Sequence, residues 1–412
     1  MFHALRSQIQ PWTYLTGLEV LDLRNNGIGN IGPIENLTNL RILNLSYNEI
    51  EDISVIAKLT NLEELTLDSN LIVDVNPLKD LTNLKKLSLY SNRITYIQPL
   101  SSLVNLVDLN LYINQIDNIK PLENLINLQT LFIGNNNISD LTPLAKLTKL
   151  TVFEAAQNKI SDLDGIGSLV NLEELSLHNN QIVNIDELKT LQNLSYLGMS
   201  ANQVKSVAPL RYLTRLTRLD LDQNEITNIS GLENLKQLKL LRLEDNKISD
   251  ISGLGALSEL NGLALTNNEI TNVSELSRLK KLTNLDISNN KISDVNDLRN
   301  MPNLPLASIG LGGNPLPDYV YEDGLKDRLI LTQMSPYINE AIKSYYGVSK
   351  ASMNERILSI EKVDGKFKLK IWLETFTGAH NPPYGTDTIT LSIDYSVVAV
   401  EGLEHDETAA DP

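Results

Sequence analysis

The sequence has no cysteine, few aromatic residues (5%) and only four histidines among 412 residues. Because cysteine is missing, the fold needs no disulfide bond and is compatible with an oxidising as well as a reducing compartment. None of the histidines lies at metal-ligand spacing from another, and the chain has neither a glycine-rich phosphate loop nor a Gly-x-Ser-x-Gly elbow. We therefore expect no metal, no cofactor and no catalytic residues.

Positive charge and long apolar runs are also scarce. Lys and Arg number 35 against 51 Asp and Glu, which gives a formal net charge of -16 and a pI near 4.8. A nucleic-acid-binding protein needs a basic face, so this balance argues against nucleic acid as a partner. No apolar run approaches the ~18 residues of a membrane-spanning helix, and we expect no transmembrane segment. Residues 1–10 lack the continuous apolar core of a signal peptide.

What the chain does contain is a strictly repeated asparagine. Thirteen asparagines follow one another at intervals of 22 residues, and a fourteenth, Asn314, follows after 24. The thirteen are Asn26, Asn48, Asn70, Asn92, Asn114, Asn136, Asn158, Asn180, Asn202, Asn224, Asn246, Asn268 and Asn290. A strict period of this length indicates a stacked solenoid, in which each repeat buries its apolar face against its neighbours. We expect each of these ladder asparagines to be buried, with its amide bonded to backbone groups.

The residues around each ladder asparagine form a leucine-rich pattern, as in residues 59–80, LTNLEELTLDSNLIVDVNPLKD. Leu65 and Leu67 alternate with polar residues, which predicts a short strand centred near residues 65–68. A proline seven residues after the asparagine, such as Pro77, fixes φ and predicts a 3₁₀ turn where the chain returns. This is the pattern of the leucine-rich repeat. It predicts an α/β solenoid of fourteen coils, with a parallel sheet on the concave face and 3₁₀ turns on the convex side.

The repeat LTNLxxLxLxxNxIxDIxPL closely resembles the 22-residue repeats of bacterial internalins. It also resembles the repeats of the regulatory subunit of eukaryotic protein phosphatase 1. The resemblance covers roughly residues 15–316 and implies a right-handed solenoid that binds a protein through its concave face. It does not identify the ligand, because the concave residues differ freely between members of such families.

The predicted domains are, in chain order, an N-terminal segment or partial cap (1–14), the solenoid (15–316), a hinge (317–324), an α+β domain (325–402) and an acidic tail (403–412). Two interpretations of the N-terminal segment remain open. Its residues form a small cap over the first coil, or an original N-terminal segment with a cap and a secretion signal is missing.

The predicted α+β domain begins with a helical pattern over residues 325–346. Alternating apolar residues on both sides of Asp364-Gly365 predict a hairpin, and two further strands are expected after it. The motifs YYG at residues 345–347 and ETFTGAHNPPYG at residues 374–385 resemble an uncharacterised domain of secreted proteins from spore-forming Gram-positive bacteria. His380 in the second motif, with Glu374 and Asp387 nearby, also fits a chemical role; the alternative is a rigid turn shaped by its prolines and glycines.

Outward side chains on the strands give the candidate ligand-binding residues. Positions two and four before the ladder asparagine face outward on the concave side, and there Tyr90, Tyr112 and Phe132 occupy consecutive coils. Tyr47 and Ile113 occupy the adjoining position. Exposed aromatic residues are common anchors of interfaces, so we predict that this aromatic cluster contacts a ligand; the alternative is ordinary variation of a surface.

Further candidates lie on later coils, where charged residues form a second, mostly acidic group. The candidate ligand contacts in this part of the face are His178, Tyr196, Asp220, Asp222, Arg242 and Glu244. Position 156 is expected to lie on the surface, and Phe153 is expected to fill the core volume that Ala155 leaves.

These observations favour a non-enzymatic recognition module that binds a protein or peptide, acts as a monomer, and is secreted or displayed on a bacterial cell surface. A cytoplasmic location is the alternative, since no signal is present in the chain. Two other functions remain open: an enzyme whose catalytic residues lie in the C-terminal domain, and an intracellular scaffold of the phosphatase-regulating type. A cleft lined by His380 and two acids would favour the enzyme.

Overall fold

The computed structural model describes residues 15–298, 301–304, 309–316, 338, 351–363, 366–376, 385–394 and 397–406. The chain divides into two compact units, one made of Met1–Asp297 with Gly310–Asn314 and the other of Leu298–Ile309 with Pro315–Pro412. The first unit contains the repeats and the second the C-terminal domain.

Each repeat contributes one three-residue strand to a parallel sheet. The strands are β1 (Val20–Asp22), β2 (Ile42–Asn44), β3 (Glu64–Thr66), β4 (Lys86–Ser88), β5 (Asp108–Asn110), β6 (Thr130–Phe132), β7 (Val152–Glu154), β8 (Glu174–Ser176), β9 (Tyr196–Gly198), β10 (Arg218–Asp220), β11 (Leu240–Arg242), β12 (Gly262–Ala264) and β13 (Asn284–Asp286). They pair in chain order, each residue with the one 22 positions later, as Leu65 with Leu87. A bridge from Asp286 to Gly310 extends the ladder to a fourteenth coil.

Each return segment contains a short 3₁₀ helix, as predicted. These helices span Gly32–Ile34, Ser54–Lys58, Asn76–Leu78, Gln98–Ser102, Lys120–Leu122, Thr142–Lys146, Ile166–Ser168, Asp186–Thr190, Ala208–Tyr212, Leu232–Asn234, Leu254–Ala256, Ser274–Arg278 and Asn296–Leu298. Pro77 stands in the first turn of its helix, where the missing N–H costs nothing. The leucine columns between strand and helix are buried and form one continuous core.

The ladder asparagines join adjacent coils through their side-chain amides. Asn70 is typical: its Nδ2 donates to the carbonyl oxygens of Leu45 (3.0 Å), Leu67 (3.0 Å) and Asp68 (3.2 Å), and its Oδ1 accepts from the N–H of Ile50 (3.0 Å). Twelve of the fourteen are buried; Asn136 is half-buried and Asn26 is exposed. The predicted bonding to backbone groups is found at all fourteen positions, Asn26 included, and the predicted burial is found at twelve of them.

The strands end earlier than the leucine pattern predicts. β3 stops at Thr66, whereas the sequence placed the strand near residues 65–68. Beyond it the N–H of Leu67 still bonds to Ser88 O of the next coil (2.8 Å), but Ser69 has a left-handed φ of 53° and turns the chain inward. The residue before every described ladder asparagine has a positive φ, and thirteen of these residues are not glycine.

Of the two packing expectations for this coil, the one for Phe153 is confirmed and the one for Ala156 is wrong. Phe153 is buried in the leucine column beside Ala155, as expected. Ala156, expected on the surface, is only 7% exposed. The side chain is only a methyl group, and the Glu154 side chain of the same coil is bonded to the N–H of this residue at 2.9 Å.

The C-terminal unit contains a four-stranded antiparallel sheet in the order β14 (Ala351–Val363), β15 (Lys366–Phe376), β16 (Gly385–Asp394) and β17 (Val397–Asp406). β14 and β15 form the predicted hairpin on either side of Asp364-Gly365. Ile338 is helical and buried, in the region predicted to be helical. The other residues of that helical prediction, the loop at residues 377–384 with His380, and residues 1–14 lie outside the described residues.

Candidate functional site

The outward side of the parallel sheet, which we call the sheet face, has a structural requirement of its own. Beyond the end of each strand, the backbone N–H of the residue two positions before the ladder asparagine has no backbone carbonyl partner in the adjacent coil. In eight coils a side chain accepts a hydrogen bond from this N–H. The acceptors are Asp22, Asn44, Asn110, Glu154 and Asp286 within a coil, and Asp68, His178 and Asp222 from the preceding coil. Acidic and amide side chains on this face therefore accept hydrogen bonds from the backbone in addition to contacting solvent.

The aromatic cluster is a stack on neighbouring coils. The rings of Tyr90 and Tyr112 have centroids 6.1 Å apart and an interplanar angle of 29°. Phe132 lies on the next strand, in register with Asn110 on one side and Glu154 on the other. All three aromatic side chains are half-buried and none belongs to the leucine core.

Tyr47 and Ile113 occupy the left-handed position before the ladder asparagine, with φ of 57° and 55°. Tyr47 is 58% exposed, and Ile113 is half-buried. Their shared position is a turn outside the strands, so the structure does not place them in the outward columns of the face. A β-branched residue such as Ile113 is rare in this conformation.

Gly134 and Glu154 extend the aromatic cluster. A Cβ on Gly134 would lie 2.3 Å from Tyr112 Cε2 and 2.5 Å from Glu154 Oε2, so the ring and the carboxylate both lie over the bare glycine backbone. Glu154 Oε1 accepts from the N–H of Ala156 at 2.9 Å. Its Oε2 is buried and makes no hydrogen bond of normal geometry, although the N–H of Gly134 lies near the carboxyl group. Burial raises the pKa of Glu154 to about 7, against the smaller lowering by the Ala156 and Gly134 N–H groups.

His178 and Tyr196 meet in the middle of the face. His178 Nδ1 accepts from the N–H of Ser200 at 3.0 Å, so the proton of the neutral ring is on Nε2, which lies 2.9 Å from Tyr196 Oη. Burial lowers the pKa of His178, which favours that neutral form. The tyrosine hydroxyl oxygen accepts a hydrogen bond from this Nε2–H, and its own hydrogen remains available to donate. The pair lies over Gly198, where a Cβ would be 2.1 Å from Nε2, and Arg218 lies 5.1 Å from the centre of the Tyr196 ring.

The charged residues farther along form an internally paired acidic network. Arg242 bonds Asp222 through Nε (2.7 Å) and Glu244 through Nη2 (2.7 Å), and its Nε is 3.8 Å from Asp220. The sequence suggested outward charges, yet Asp220 and Asp222 are only 9% and 7% exposed. Burial raises the pKa of Asp222 to about 6, although its bonds to Arg242 and to the N–H of Glu244 favour the charged form.

The structure thus brings together Tyr90 with Tyr112, His178 with Tyr196, and the four residues of the acidic network. Sequence reasoning did not single out Glu154, Gly134 and Gly198. The two glycines are themselves a signal in the sequence, because a glycine at an outward position of a strand leaves space that a side chain of a neighbouring coil can occupy. Within the described residues, no group of three His, Asp or Glu side chains could hold a metal ion, and no helix is long and apolar enough to cross a membrane.

Comparison with known proteins assigns both parts of the chain. A family model of leucine-rich repeats in two copies matches residues 16–58, 38–80, 82–124, 126–168, 170–212 and 214–256. A single-repeat model matches residues 281–301. Residues 326–407 match a family described as a protein of unknown function (DUF3888). No curated protein matches the chain.

Among solved structures, an internalin (inlF) from Listeria monocytogenes is 34% identical, with a TM-score of 0.69 over 71% of this chain and 87% of that one. A leucine-rich repeat protein from Leptospira interrogans is 27% identical, with a TM-score of 0.61 over 76% and 82%. The ectodomain of a plant membrane receptor kinase from Arabidopsis thaliana, in complex with Casparian strip integrity factor 2, is 25% identical, with a TM-score of 0.62 over 74% and 42%. The chain therefore belongs to the leucine-rich repeat family, with repeats of the internalin type.

Proposed function

We propose that the chain is a non-enzymatic recognition module whose sheet face binds a protein or peptide. The observation that carries this proposal is the group of half-buried aromatic rings at Tyr90, Tyr112 and Phe132, which lie outside the leucine core and have no packing role there. Such rings lose little conformational entropy on binding and offer large apolar contact areas. The fold, shared with internalins and with receptor ectodomains, supports the same function.

The length of the face suggests the length of the ligand segment. The aromatic cluster begins at β4 and the acidic network ends at β11, seven strand spacings away. At about 4.8 Å per spacing this is roughly 34 Å, the length of an extended segment of about ten residues. His178 and Tyr196 lie between the two ends, where the Tyr196 hydroxyl can donate to a carbonyl or carboxylate oxygen.

Secretion or display on a bacterial cell surface, and action as a monomer, belong to the same proposal. The similarity to the Listeria internalin favours the extracellular location over the cytoplasmic one. The lack of cysteine is compatible with either compartment.

The test is a triple variant, Tyr90→Ser, Tyr112→Ser and Phe132→Ser. Peptide ligands are first selected from a random twelve-residue library against the full chain, and their affinity is measured by calorimetry. We expect the variant to fold and to bind more weakly by at least about 2 kcal/mol, the usual threshold of an interface hot spot.

The matched control replaces three exposed residues on the return side of the coils, Tyr96, Val183 and Tyr212, with Ser (61%, 46% and 45% exposed). This control is expected to bind as the wild-type chain does. Unchanged affinity in a folded aromatic triple variant would place the ligand elsewhere and overturn the proposal.

A further inference from the structure

Glu154 differs from the other acids of the sheet face that accept a backbone hydrogen bond. Asp68 also accepts from the Ser88 hydroxyl, and Asp222 also binds Arg242. Glu154 Oε2, by contrast, is buried and makes no hydrogen bond of normal geometry, and in the described part of the chain no Lys or Arg forms an ion pair with it. A buried carboxylate oxygen that lacks a good hydrogen bond destabilises the isolated chain, and a ligand group that pairs with it would remove this cost.

The surroundings of this oxygen are aromatic. Tyr112 lies beside it over Gly134, Tyr90 is stacked on Tyr112, and Phe132 is the register partner of Glu154 on the neighbouring strand. A cation is attracted both to a carboxylate and to the faces of aromatic rings, and a planar guanidinium satisfies both at once. An apolar ligand group would remove the carboxylate further from water and leave Oε2 unpaired, at a cost that a cation avoids.

We infer that Tyr90, Tyr112, Phe132 and Glu154 form a cradle over Gly134 that binds a cationic side chain, Arg or Lys, of the ligand. The inference rests on the proposed function and specifies the chemistry of one ligand residue. Because Oε2 is buried, a ligand cation reaches it only if a neighbouring side chain such as Tyr112 moves. The Tyr112 ring rests on a glycine, so no side chain at position 134 opposes this movement. The formal charge of -16 favours the approach of a basic ligand to the whole protein.

The experiment selects the twelve-residue library separately against the wild-type chain, Glu154→Gln and Glu174→Gln. Glu154→Gln keeps the shape of the side chain and removes its charge. Glu174→Gln is the matched control, because Glu174 is an exposed glutamate on the neighbouring strand β8. We expect peptides selected on the wild-type chain and on the control to share an Arg or Lys at one position, and those selected on Glu154→Gln to lack it.

A double-mutant cycle then isolates the contact. The shared Arg of a selected peptide is replaced by citrulline, which is neutral and similar in shape. We expect at least about a tenfold loss of affinity on the wild-type chain and little loss on Glu154→Gln, which indicates direct coupling. Equal loss on both proteins, or no enrichment of basic residues, would overturn the inference.

The two proposals fail in different ways. If the aromatic triple variant weakens the selected peptides but charge removal at Glu154 does not, the sheet face binds ligand and only the cation inference is wrong. If the triple variant leaves affinity unchanged, the proposed function is wrong and the cation inference is wrong with it. Thermal unfolding of each variant verifies that it is folded.

Discussion

At the scale of single residues, several side chains of the sheet face accept backbone hydrogen bonds and also belong to the surface that we propose binds a ligand. Asp222 Oδ1 accepts the N–H of Glu244 at 2.8 Å, while its Oδ2 binds Arg242. His178 likewise accepts the N–H of Ser200 through one nitrogen and contacts Tyr196 through the other. Removing such a side chain would change stability as well as the proposed binding, so variants that keep the shape of the side chain give the clearer test.

Glu154→Gln should change the pH dependence of stability. The folded pKa of Glu154, about 7, lies above its ordinary value of 4.5, so the folded state holds the proton more tightly than the unfolded state does. Stability from this group is fully present below pH 4.5 and is lost as pH rises through 7. Above pH 7 the variant should be more stable than the wild-type chain by on the order of 1–2 kcal/mol, allowing for partial exposure.

Urea unfolding of both proteins across this pH range measures the difference. Taking the difference removes the contribution of Asp222, whose raised pKa acts in the same range. Glu174→Gln, which changes an exposed glutamate on the neighbouring strand, serves as the control. A difference that does not vary with pH for Glu154→Gln would mean that the Glu154 carboxylate is solvated in the folded state.

Ile113→Asn should stabilise the protein. Ile113 has a φ of 55°, and a left-handed conformation costs most L-residues roughly 1–2 kcal/mol, whereas asparagine adopts it readily. We expect a gain of about 1 kcal/mol in the free energy of unfolding. The reciprocal change, Asn179→Ile at the same position three coils later (also φ 55°), should cost a similar amount. A loss of stability in Ile113→Asn, or a gain in Asn179→Ile, would contradict the backbone explanation.

At the scale of the repeat element, the ladder asparagine connects one coil to the next. Asn114 donates to Leu89 O (3.0 Å) and Leu111 O (3.1 Å) and accepts from the N–H of Ile94 (3.0 Å). Asn114→Ala leaves these buried groups unpaired and should cost at least about 2 kcal/mol. Asn26→Ala is the control, because Asn26 is exposed and water can replace its bonds; it should cost less than about 1 kcal/mol.

Chemical denaturation provides both values. If the two variants lost equal amounts of stability, the ladder would contribute through something other than buried hydrogen bonds.

The period of the repeat predicts most of this element. Alternating leucines and the returning proline identify the strand, the 3₁₀ turn and the 22-residue register, because each follows from local pattern and the need to bury one apolar strip. The left-handed residue is not predictable from its type, since Tyr, Ile, Ser and Asp all occupy it under the constraint of the adjacent coils. Glu154 and the burial of Asp222 escaped prediction for a related reason: both depend on how side chains of separate coils cover one another.

At the scale of the whole molecule, net charge opposes compactness. The formal charge is -16, and exposed ion pairs such as Lys281 with Glu259 (2.8 Å) contribute little to stability. Salt screens repulsion between like charges, so the thermal midpoint should rise as NaCl increases from about 0.01 to about 0.15 M. Calorimetry at fixed pH, repeated with KCl to exclude effects of one particular ion, is the measurement. A falling midpoint would show that ion pairs outweigh the repulsion.

The one-to-one register between coils has a consequence for how such a molecule can change by recombination. Each strand residue pairs with the residue 22 positions later, as Leu87 does with Leu109. Deleting or duplicating 22 consecutive residues therefore replaces every partner with its counterpart from another coil, whereas other lengths shift the register. One such event between the aromatic cluster and the acidic network would move them about 4.8 Å closer or farther apart. If the sheet face binds an extended segment as proposed, exchange of whole gene segments would alter the length of the ligand it accepts and leave the core intact.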